Sequence, residues 1–75
     1  MNIHQKIAGN LLRLRKEKAL TQEDLANLVG KSQIWVHKIE SGDEKINLDY
    51  LVLCAEALGC DLYDLIPNIH KNRGK

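Results

Sequence analysis

Cysteine, histidine, glutamine and lysine are the side chains here that could hold a metal, act as a nucleophile or read a polar surface. Spacing argues against the first two chemistries. Cys54 and Cys60 are separated by five residues rather than two, and His4, His37 and His70 lie far apart, so no metal-binding set is expected. Each cysteine sits in an apolar helical context without a neighbouring base, so nucleophilic catalysis is not expected, nor is a cofactor. What remains is a polar series. At about 100° per residue, Gln33, Ile34, His37, Lys38 and Ser41 share one arc of a helix. A glutamine amide can pair with N6 and N7 of adenine, a lysine can reach guanine or a phosphate, and an exposed isoleucine can meet a thymine methyl. The chemistry on offer is hydrogen bonding and apolar contact with the surface of a partner, such as the groove that an outward helical arc could meet. His37 shares this arc, although a neutral imidazole adds little electrostatic attraction.

Such an arc is useful only if its helix is held firmly from behind. Val36 and Ile39 face the other way, one turn apart, and Ser32 supplies an N-cap. Before them, Leu25, Ala26, Leu28 and Val29 give residues Gln22–Val29 an apolar side. Thr21 caps that helix with Asp24 three residues on, and Gly30 suits a left-handed terminus. Two short helices joined by a glycine-containing turn read as a helix-turn-helix over about residues 22–41. Trp35 and Glu40 fall on its flanks. Trp35 either covers the edge of the core or lies against sugar and phosphate.

The supporting elements follow the same logic. Ile3, Ile7, Leu11 and Leu14 predict a helix over Ile3–Lys18, with Leu12 outside the stripe and a break at Ala19–Leu20. After a loop from Asp43 to Ile46, Asn47 caps a helix over Leu48–Leu58. Its expected core stripe is Leu48, Leu51, Val52, Ala55 and Leu58, with Cys54 beside it. Gly59 ends that helix, and Asp61 caps a short one over Leu62–Ile66 that Pro67 stops. A second apolar set, Tyr50, Leu53 and Ala57, lies roughly opposite the core stripe of the fourth helix. With Tyr63 it could pack across a two-fold axis.

The expected fold is all-α, one domain over residues 1–66 with a polar tail over 67–75. Seventy-five residues suffice for one thin core, and 44% hydrophobic content is ordinary for a globular domain. No apolar run approaches the roughly 18 residues of a bilayer span, and no secretory leader is apparent, so a cytoplasmic protein with reduced thiols is expected. The net charge of +1 does not by itself favour nucleic acid, but the basic residues cluster in the first eighteen residues and the tail.

Taken in order, several pieces form a known series: Ile7-x3-Leu11-x2-Leu14-Arg15, Leu20-Thr21-Gln22-x2-Leu25-Ala26, Val29-Gly30, Ser32-Gln33, Val36-x2-Ile39-Glu40-x-Gly42, and Leu48-x2-Leu51-x3-Ala55-x2-Leu58-Gly59. The chain resembles the lambda-repressor-like, Cro/cI-type helix-turn-helix family, also called the XRE family, over about residues 7–66. The resemblance implies a compact five-helix domain that binds double-stranded DNA as a homodimeric transcriptional regulator. It also implies that Gln33, Ile34 and Lys38 sit where base edges are read. Gln22 would contact a phosphate, Ser32 and Ser41 would lie near the DNA backbone, and Arg15 and Glu40 would form an internal ion pair.

The departures from that pattern carry expectations of their own. Asp43 and Glu44 stand where basic residues are common, which should weaken binding and leave Lys45 as the one backbone contact of that loop. Ala19 replaces a frequent glycine and costs a cap. Tyr50, Leu53 and Tyr63 are the expected dimer surface. A chain of this length has no room for a ligand-sensing domain, so regulation is expected through concentration, dimerisation or a protein partner. The alternative reading is an antitoxin or similar partner-binding module that binds DNA secondarily.

Overall fold

The computed structural model describes residues 2–67, which hold five α-helices and no strand. These are α1 (Ile3–Glu17), α2 (Gln22–Val29), α3 (Gln33–Glu40), α4 (Leu48–Leu58) and α5 (Leu62–Leu65). The expected tail, beyond Pro67, lies outside the described residues, as does His70.

Local chemistry sets the helix starts. Asn2 and Thr21 open capping boxes with Gln5 and Asp24, Ser32 and Asn47 accept from the amides of Trp35 and Tyr50, and at α5 the Asp64 carboxylate accepts from the Asp61 amide. Each such side chain satisfies a backbone N–H that the first helical turn leaves without a partner. The ends are as local. Gly30 and Gly59 adopt the left-handed conformation that closes α2 and α4. Ala19 takes it too, at φ 59°, where the amides of Ala19 and Leu20 donate to the carbonyls of Lys16 and Arg15. Two ends fall one residue short of expectation. Lys18 is the C-cap of α1 rather than its last turn, and Ile66 is extended because the residue before a proline avoids the helical region.

The core joins Ile7, Leu11 and Leu14 of α1 to Leu25, Ala26 and Val29 of α2, Val36 and Ile39 of α3, Leu51, Cys54, Ala55 and Leu58 of α4, and Leu65 of α5. Four expected core residues are instead exposed: Ile3, Leu28, Leu48 and Val52. Ile3 precedes the first turn that has a helix beside it to pack on. Leu28 projects from the outer side of α2. In α4, the buried set Leu51–Cys54–Ala55–Leu58 repeats at i, i+3, i+4 and i+7, a face about 100° wide. That face is rotated toward Cys54, which turns Leu48 (63% exposed) and Val52 to solvent. Burial pushes the Cys54 thiol up to about 12, so it is an inert thiol of the core. The Asn10 amide donates to the Leu65 carbonyl at 3.0 Å and anchors α5 to α1.

Candidate nucleic-acid interface

The second and third helices pack on each other, and α1 and α4 hold them from behind. With Val36 fully buried and Ile39 nearly so, the orientation of α3 is fixed. Gln33, Ile34, His37, Lys38 and Ser41 are all exposed together on its outer side, with Ile34 at 67%. Ile34 is the one apolar member of this exposed arc. Ser32 and Ser41 sit at the two ends of α3 with local roles: the Ser32 hydroxyl accepts from the Trp35 amide, and the Ser41 hydroxyl donates to the Lys38 carbonyl. Lys45, Asp43 and Glu44 are exposed on the following loop.

A nearly buried polar network fastens this surface. Arg15 donates from Nε to Glu40 Oε2 at 2.6 Å and from Nη2 to Oε1 at 2.9 Å, a bidentate pair. Its third nitrogen, Nη1, donates to the Leu20 carbonyl at 2.7 Å. The hydrogen bond and charge of Glu40 hold the guanidinium above its ordinary value, outweighing the cost of burial. Gln22 completes the network by donating from Nε2 to Glu40 Oε1 at 3.1 Å. The residue expected at a phosphate thus has one amide hydrogen directed inward. Glu40 therefore links α3 to both α1 and α2.

Trp35 is half-buried against the edge of the core, one of the two placements its sequence position allowed. Its ring meets Tyr50 of α4 with centroids 5.3 Å apart and planes tilted by 57°. Tyr50 is accordingly half-buried and engaged within its own chain, whereas Leu53 and Tyr63 are exposed (Tyr63 71%). Lys31 places its ammonium 5.4 Å from the Trp35 centroid and 4.9 Å from that of Tyr50. Sequence reasoning missed Lys31. The one available signal was its position four residues before Trp35.

The comparisons agree with this geometry. The Helix-turn-helix family matches residues 11–65. An uncharacterized HTH-type transcriptional regulator, y4dJ of Sinorhizobium fredii, is 33% identical over 66 residues, which is 88% of this chain and 86% of that protein. The restriction-modification controller protein C.AhdI from Aeromonas hydrophila superposes with a TM-score of 0.80 at 32% identity, over 83% of this chain and 90% of that one. A hypothetical transcription factor, NHTF from Neisseria, does so with a TM-score of 0.84 at 27% identity, over 96% and 84%. The chain thus belongs to the XRE-type helix-turn-helix family and is a transcriptional regulator built on a DNA-binding fold.

Proposed function

We propose that this regulator binds a pseudo-palindromic double-stranded operator as a homodimer, with α3 in the major groove. The observation that carries this reading is the exposed arc of Gln33, Ile34, His37 and Lys38 on a helix whose opposite side is locked in the core. Gln33 pairs with adenine, Lys38 contacts guanine or phosphate, Ile34 meets a thymine methyl, and His37 adds a contact alongside. Ser32, Ser41, Lys45 and the edge of Trp35 set register on the backbone. Gln22 belongs to that group as well: its amide nitrogen carries two hydrogens, and the one not given to Glu40 is available to a phosphate.

The partner copy packs through the exposed Leu53 and Tyr63, and Tyr50 contributes only what its contact with Trp35 leaves uncovered. Two such helices then lie about 34 Å apart along the duplex. The protein works by binding and catalyses nothing, and its control is by concentration and assembly in the cytoplasm. A folded Gln33→Ala, Lys38→Ala double variant is expected to lose most of the discrimination of the parent between its selected duplex and a scrambled one. Equal binding of the selected duplex by both proteins would refute the assignment of α3.

One observation favours a second reading, a module whose main partner is a protein. Asp43 and Glu44 put two carboxylates beside the surface offered to phosphates. A gel shift with the chain's own upstream DNA, run with and without the neighbouring gene product, separates the two: on this second reading the shift requires that product.

A further inference from the structure

The side of the interface away from Ser41 holds a feature that the base-reading arc does not explain. Lys31, in the turn between α2 and α3, is half-buried, yet its ammonium is not in an ion pair. It lies instead over two aromatic faces from different helices, Trp35 of α3 and Tyr50 of α4, both within the 6 Å at which a ring attracts a cation. Lys31 and Trp35 line an open depression together with Ser32, Ile34, Lys38 and Glu44, and Tyr50 meets both the Lys31 ammonium and the Trp35 ring. That depression is continuous with the recognition arc, because Ile34 and Lys38 belong to both. A long lysine normally samples many rotamers in water; here two rings restrict it. An aromatic face can orient an ammonium without neutralising it, unlike a carboxylate. Glu44 is the one acid of the rim, and the cation–ring geometry does not involve it.

We infer that Lys31 is a backbone contact to the DNA strand flanking the base-reading arc, and that Trp35 and Tyr50 are positioning residues that hold its ammonium ready for a phosphate. The inference rests on the DNA-binding reading above. It also gives the ring face of Tyr50 a task at the DNA-binding surface, leaving to the partner contact only what Trp35 and Lys31 do not cover. The clamp leaves the full positive charge available, so binding through it releases a counterion from the duplex.

The test uses the full chain, a duplex selected by the parent from a random pool, and fluorescence anisotropy from 50 to 300 mM KCl. Lys31→Met is expected to flatten the slope of log affinity against log salt by about 0.9 per protomer, and to weaken binding about eightfold per protomer at 0.1 M salt. Lys31→Arg, which keeps both charge and ring contact, restores slope and affinity. Tyr50→Phe behaves as the parent, whereas Tyr50→Leu weakens binding about two- to fivefold per protomer with an unchanged slope, because the charge is kept and its placement lost. Trp35, the only tryptophan of the chain, reports directly: its emission should change on removal of the cation in Lys31→Met and on titration of the parent with duplex. Circular dichroism and sedimentation of each variant verify fold and assembly. A Lys31→Met protein with the affinity and slope of the parent overturns the inference while leaving the DNA reading intact. Failure of the parent to bind any duplex overturns both. Parent-like binding by Tyr50→Leu removes the positioning role.

Discussion

Glu40 is the residue on which the presentation of α3 depends most. Its carboxylate is 4% exposed and is answered by Arg15 and Gln22. Removing one member of a buried pair leaves the other charge without compensation, so Glu40→Ala is expected to destabilise by about 3–5 kcal/mol in urea unfolding. Arg15→Met combined with Glu40→Leu should recover much of that loss, since apolar replacement of both partners removes the unpaired charge. Asp24 is a milder case. The amide and hydroxyl of Thr21 hold its carboxyl below the ordinary 3.8. The folded state therefore gains stability from Asp24 that is complete above that value and lost as pH falls through the lower folded value. The difference in urea midpoint between the parent and Asp24→Asn should shrink progressively on acidification below about pH 4. At the proposed interface, Glu44→Gln is expected to tighten duplex binding by up to about eightfold per protomer at 0.1 M salt, as one charge repelling phosphate leaves the rim.

At the scale of the elements, helix boundaries were readable because caps are local. Thr21, Asn47, Gly30 and Gly59 act on residues within one turn of themselves, so the sequence around each is enough. Burial was less readable because it depends on neighbours brought in by the fold. Leu48 and Val52 are as apolar as Leu51 and Leu58, and only the packing of α4 on the other helices decides that Cys54 enters the core in their stead. The arc of α3 could be read, since Val36 and Ile39 fix its inner side. The Lys31 cluster could not, because Tyr50 arrives from a separate helix. Ala19 shows local chemistry working against itself. An alanine at φ 59° bears the clash of its Cβ with the following carbonyl, so Ala19→Gly is expected to stabilise the domain by up to about 1 kcal/mol after allowing for the looser unfolded chain. A lower urea midpoint for the variant would contradict that account.

For the molecule as a whole, assembly is the open variable. Among the described residues no helix is long and apolar enough to cross a membrane, and the large side chains left in water include Val52 and Leu53 on α4 and Tyr63 on α5. A carboxylate placed among them should split the proposed dimer: Leu53→Glu is expected to sediment as a monomer at concentrations where the parent is dimeric, and an unchanged dimer would exclude this surface.

The triple engagement of Glu40 has a consequence for the operator. A helix bonded at its last residue to both of its predecessors cannot swivel on its own, so under the proposed operator binding each protomer would meet the duplex as a rigid stamp. Inserting one base pair between half-sites turns the second imprint by about 34° relative to the first. With α3 tied to α1 and α2, accommodation would fall on the twist of the DNA or on the seam between the two copies of the proposed dimer.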